Sequence, residues 1–130
     1  PTVRFRGTEI DCEEGAILRD VLLDAGESPI HEPGLEELIA ANAGTKLEAT
    51  TDYDPIGDTD VTFLDSHALD PDGSIDTTYI EAAAESVGEQ LAEKDDTHLV
   101  VVKSTVVPGT TEETLAPLLE KTSGKTVGED

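Results

Sequence analysis

The chain has no methionine and no tryptophan, and only two tyrosines and two phenylalanines, so any core must be built from small aliphatic side chains. Basic residues are scarce: eight Lys and Arg stand against thirty Asp and Glu, a formal net charge of −22. Such a surface repels nucleic acid and anionic membranes, and neither is expected as a partner. The lone Cys12 excludes a disulfide framework or a four-cysteine metal site within one chain. No apolar run approaches the ~18 residues of a membrane span, and no signal-peptide core is visible, so a reducing cytoplasm is the expected location.

What is present points to a folded protein. A length of 130 residues fits a single domain, 1–130, able to bury roughly two-thirds of its unfolded surface. The acids are spread along the chain and the apolar residues are periodic, unlike a disordered acidic tract. The acidic excess and the shortage of large aromatics suit a protein adapted to concentrated salt, where screening suppresses self-repulsion; an ordinary acidic cytosolic protein is the alternative.

Two alternating stretches around Gly7-Thr8 predict a β-hairpin, and Ile17, Leu18, Val21, Leu22 and Ala25 predict a helix that Gly26 stops. Leu35, Leu38 and Ile39 predict a second helix, with Pro33 in its first turn and Gly44 as its cap. "LEATTD" (47–52) and "DVTFLD" (60–65) are expected as strands. From Thr77 to Lys94 the spacing of Ile80, Ala84, Val87 and Leu91 is helical, with Thr78 and Glu81 at capping-box spacing. "HLVVVKST" is expected as a strand buried on both faces. A last helix follows, with Thr110 and Glu113 again at capping-box spacing and Pro117 forcing a kink or a delayed start. Strands alternating with helices of this length predict an α/β fold with a mainly parallel sheet.

The order of "PIHEPGL" (29–35), "LEATTD", "DVTFL", "DGSIDTT" (72–78) and "VVVKSTVVPGTT" (100–111) resembles the N-terminal NAD-binding domain of the UDP-glucose/GDP-mannose dehydrogenase family, in its haloarchaeal flavour. The resemblance covers residues 27 to 130 and implies an incomplete Rossmann-like domain, NAD as cofactor and a nucleotide sugar as substrate. Ligands of open α/β sheets gather at the carboxyl ends of the strands, where Ser104 and Thr105 fall. By resemblance, this segment passes the nicotinamide side, making Ser104 and Thr105 the candidate cofactor contacts.

Two departures bear on that site. No G-x-G-x-x-G turn is present, so the backbone cradle for a pyrophosphate is missing. After "VTFL" the family's Thr-Pro-containing loop is replaced by "DSHALDPDG", with Ala68 or His67 near the Thr position. The family's catalytic Cys region is expected to lie past Asp130, and Cys12 is in an unrelated segment, so no catalytic residue is assigned. Residues 1–29 instead resemble the opening hairpin and helix of a haloarchaeal [2Fe–2S] ferredoxin, which divides the chain into a ferredoxin-like segment 1–26 and a partial NAD-binding domain 27–130. The C-x4-C-x2-C run of cluster ligands is lacking. The hairpin is expected to lie at an edge of the parallel sheet or in its vacant central slot.

His31, His67 and His98 lack the spacing of a helical metal pair. Asp65, His67, Asp70 and Asp72 crowd one loop but read as a solvated acidic loop, and no metal site is assigned. The EF-hand pattern from Asp70 has its Gly misplaced, and Asp65, Ser66 and His67 are adjacent residues without a nucleophile elbow. Three functions remain open: part of an NAD-dependent nucleotide-sugar dehydrogenase, not catalytic alone; a non-catalytic acidic interaction module pairing through strand edges with a second copy or a complementary chain; and a ferredoxin-like electron carrier.

Overall fold

The computed structural model describes residues 1–66 and 73–129. Its contacts divide the chain into two compact units, Pro1–Thr51 and Asp52–Asp130.

In the first unit, β1 (Thr2–Phe5) and β2 (Thr8–Asp11) form the expected hairpin, with Val3 opposite Ile10. Its two-residue turn needs positive φ at both positions, and Arg6 (47°) and Gly7 (93°) supply it. Helix α1 (Leu18–Asp24) buries Leu22 and ends at Gly26 as predicted: the Glu27 N–H donates to the Leu22 carbonyl and the Gly26 N–H to the Leu23 carbonyl. This double closure needs a left-handed residue, and Gly26 has φ 77°. Helix α2 (Leu35–Asn42) starts later than the sequence suggested, with Gly34 as its cap and Pro33 outside it. Its only deeply buried residue is Ile39; Leu38, assigned to the same stripe, is 64% exposed. Residues 47–52 do not form the expected strand. Among the described residues this stretch makes an isolated parallel bridge, Ala43 to Leu47, and the Ala49 N–H donates to the Asp24 carboxylate at 3.0 Å.

In the second unit a 3₁₀ turn (Asp54–Asp58) precedes β3 (Val61–Leu64), which pairs in parallel with β4 (Leu99–Val102), Val61 against Leu99 through Leu64 against Val102. The connecting helix α3 (Thr78–Leu91) buries the whole predicted stripe of Ile80, Ala84, Val87 and Leu91, which with Leu64 and Leu115 makes the core. Helix α4 (Ala116–Ser123) crosses α3 where Gly88 faces Thr122.

Pro117 delays the start of α4 as predicted. Thr111–Leu115 forms a π turn closed by the Ala116 N–H on the Thr111 carbonyl, and Pro117 then sits in the first α turn, where no N–H is needed.

Three expectations need correction. Neither capping box forms: Thr77, not Thr78, caps α3 and its hydroxyl bonds Glu81, while Asp76 accepts the Thr78 N–H at 2.9 Å; Thr110 makes no side-chain cap. The β4 strand is not buried on both faces, since Leu64, Val100 and Val102 meet the core while Val61, Phe63 and Leu99 stay exposed. The hairpin does not extend the parallel sheet; among the described residues β1 and β2 pair only with each other.

Candidate functional site

The carboxyl ends of β3 and β4 meet at Ser104. Its hydroxyl oxygen accepts the Ser66 N–H at 2.7 Å and its proton goes to the Leu64 carbonyl at 3.3 Å. The Lys103 N–H also reaches the Leu64 carbonyl, at 2.9 Å. Above this junction the Lys103 ammonium pairs with Asp65 at 3.2 Å, both side chains well exposed, so the pair is worth at most about 1 kcal/mol. Ser104 is half-buried and Thr105 exposed, while Val106 returns to the core. The two candidate residues are thus neighbours with different surroundings: Ser104 ties the strand ends together and Thr105 faces outward.

The turn into the π helix carries its own charge. A side chain at Gly109 would meet the Glu113 carboxylate at 3.1 Å, so that carboxylate lies against the turn backbone. At the other strand-to-helix turn, between β2 and α1, Glu13 and Glu14 precede Gly15 and Asp20 lies in the first helical turn. Both turns therefore place negative charge where an anion would need backbone N–H groups.

At the opposite end of the sheet, His98 Nε2 and the Thr62 hydroxyl are 2.9 Å apart, and Nδ1 is buried without a hydrogen-bond partner. Burial lowers the His98 pKa below the usual histidine value and Lys94 adds to the fall; the Thr59 backbone and Asp60 oppose it. Lys94 itself donates to the carbonyls of Gly57 (3.1 Å) and Thr59 (2.8 Å), closing the 3₁₀ turn. The sequence reading missed this role, whose only signal was a lysine next to a helix end. Asp76 titrates low because the Thr78 side chain, and then its backbone N–H, bond the carboxylate. His67, Ala68, Asp70 and Asp72 lie outside the described residues, and among those described no three His, Cys, Asp or Glu side chains are grouped to hold a metal.

The profile of the UDP-glucose/GDP-mannose dehydrogenase family, NAD binding domain, matches residues 5–130. The chain belongs to this family. Within the dehydrogenase family, the UDP-glucose 6-dehydrogenase AglM of Haloferax volcanii is 57% identical over 122 residues, covering 92% of this chain and 27% of that protein. The GDP-mannose 6-dehydrogenase of Pseudomonas aeruginosa is 38% identical over 128 residues, covering 96% and 29%. A crystal structure of a ternary complex of GDP-mannose dehydrogenase from the same organism superposes with a TM-score of 0.80 at 38% identity, over 85% of this chain and 26% of that one. The chain thus spans about a quarter of the length of these dehydrogenases. The match begins at residue 5 and so runs through the hairpin and α1.

Membership in the NAD-binding domain makes NAD the relevant cofactor, and the residues present can be tested against it. They do not fit its diphosphate: the sequence has no G-x-G-x-x-G turn, and both described strand-to-helix turns bring carboxylates to where the phosphates would sit. What the described residues place at the carboxyl end of the parallel pair is a junction of two strand ends at Ser104 and Thr105.

Proposed function

We propose that this chain is part of an NAD-dependent nucleotide-sugar dehydrogenase, contributing the strand-end wall of the cofactor cleft and not catalysing a reaction by itself. The observation that carries the reading is the parallel β3–β4 pair, joined at Ser104, within a stretch that the family profile matches almost end to end. Relatives named for oxidising UDP-glucose and GDP-mannose support a nucleotide sugar as substrate. Ser104 and Thr105 are the proposed cofactor-side residues, Thr105 from its exposed position and Ser104 by setting the spacing of the strand ends.

The reading places the protein in the cytoplasm of a cell rich in salt, supported by the −22 charge and the Haloferax relative. No described helix is long and apolar enough to cross a membrane. Residues 1–26 keep their ferredoxin-like reading as a proposal about descent, supported by the two-residue hairpin followed by a short helix. It predicts no iron–sulfur absorption, because Cys12 has no companion ligands.

Calorimetric titration with NAD in molar KCl tests the main proposal. No saturable heat is expected from this chain alone; tight, saturable uptake would show that the phosphates are held without a glycine turn and overturn it.

The interaction-module reading also has an observation in its favour: β4 carries a strand edge that no described residue pairs.

A further inference from the structure

His98 stands at the head of β4 with one ring nitrogen accounted for and one not. Nε2 lies 2.9 Å from the Thr62 hydroxyl of β3, while Nδ1 is enclosed by the protein and bonds nothing among the described residues. An N–H shut away without an acceptor is the costlier orphan, so the neutral ring carries its proton on Nε2, donates it to Thr62 and leaves Nδ1 as a bare lone pair. A second proton can enter only at Nδ1.

The backbone oxygen that bears on this ring is already taken. The Thr59 carbonyl favours the charged form of His98, yet it accepts the Lys94 ammonium at 2.8 Å. Lys94 also reaches the Gly57 carbonyl at 3.1 Å, and the two bonds tie the end of α3 to the 3₁₀ turn Asp54–Asp58. Within that turn the Ile56 N–H donates to the Tyr53 carbonyl and the Thr59 N–H to the Ile56 carbonyl, and the Ile56 side chain packs on the core. Of the charges facing His98, Lys94 after α3 opposes a second positive charge and Asp60 ahead of β3 favours it. Glu120 and Lys125, one of each sign, line the same recess as the ring on the α4 side. Two cations sharing the Thr59 carbonyl would repel each other at close range, so the oxygen can serve only one of them.

We propose that His98 is a proton-operated latch: on taking a proton at Nδ1 it claims the Thr59 carbonyl, displaces the Lys94 ammonium and frees the Asp54–Asp58 turn from the end of α3. With the ring neutral, Lys94 holds the turn. With the ring charged, the imidazolium holds Thr59 and the repelled ammonium swings into solvent, which its half-buried side chain reaches by rotation about its own stem. Each opening takes up one proton, so acid favours the open form. The carboxyl ends of β3 and β4, joined at Ser104, take no part and stay closed. Burial and Lys94 hold the ring below the ordinary histidine value, so the latch is shut at neutral pH and opens on the acid side. Every residue involved belongs to the second unit, and the inference does not rest on the cofactor reading.

Heteronuclear NMR of the full chain in molar KCl, which keeps the anionic surface screened, tests it as the pH is lowered from neutral through the histidine range. At neutral pH the ring should show its proton on Nε2. As His98 titrates, exchange at the Ile56 and Thr59 amides, corrected for its intrinsic pH dependence, should quicken about tenfold while the Ser66 and Lys103 amides keep their protection. His98→Gln should hold the Ile56 and Thr59 rates constant over the same range. Lys94→Met, which keeps the stem without the charge, should leave those two amides fast at every pH and raise the pKa of His98. The proposal fails if the neutral ring carries its proton on Nδ1, or if the turn amides ignore the titration of His98. It also fails if they respond equally in His98→Gln, or if Ser66 and Lys103 lose protection together with them, which is unfolding of the whole unit.

Discussion

Ser104 accepts a backbone N–H from a residue 38 positions away, and that long-range bond makes it testable. Ser104→Ala leaves the Ser66 N–H without its acceptor in a half-buried junction, and the expected loss is about 1 kcal/mol, read from the urea midpoint, with faster amide exchange at Ser66. The residue type was legible in the sequence as a strand-end serine; its partner was not, because nothing local to 104 specifies which carbonyl and amide will arrive from β3. His98 gives a second residue-scale prediction. Its folded pKa lies below the unfolded value near 6.5, through burial and Lys94, so the folded state binds fewer protons in the window between the two. Its contribution to stability is complete above pH 6.5 and is lost as the pH falls below it, toward the lowered pKa. His98→Gln should flatten that part of the stability-against-pH curve, with Asp60 and Lys94 kept as the charged neighbours; an unchanged slope would remove the assignment.

At the scale of elements, α3 and α4 meet so closely that a methyl group at Gly88 would overlap the Thr122 hydroxyl and lie 2.9 Å from its Cβ. Gly88→Ala should therefore destabilise by about 1–3 kcal/mol in chemical denaturation, despite alanine's better helix propensity. Adding Thr122→Ala should recover much of the loss, and no recovery would mean that the crossing is not what makes glycine necessary. The helices themselves were readable: the stripe of Ile80, Ala84, Val87 and Leu91, the stop at Gly26 and the displaced start before Pro117 all depend on residues within a few positions of one another. Strands were less so. "DVTFLD" and "HLVVVKST" pair because α3 brings them together, whereas "LEATTD" had a similar look and forms no strand, only the bridge at Leu47. A run of valines likewise did not reveal that one side of the sheet would remain exposed at Val61, Phe63 and Leu99.

For the whole molecule, the charge of −22 sets the strongest expectation. Like-charge repulsion acts over a Debye length of about 10 Å at 0.1 M salt and about 3 Å at 1 M. The melting temperature should therefore climb steeply between these concentrations and more gently above; a flat profile would remove the reading of salt adaptation. By itself the sequence determined the anionic surface, the hairpin turn, the helices, the family and the missing phosphate turn, because each is a matter of composition or of spacing within one short segment. Only the tertiary structure decided that, among the described residues, β1 and β2 pair with each other and β3 with β4, and that Ser104 closes the junction of β3 and β4. The reason is that strand pairing is a non-local choice: a backbone N–H cannot tell from its own neighbours in sequence which distant carbonyl the helices will bring to it.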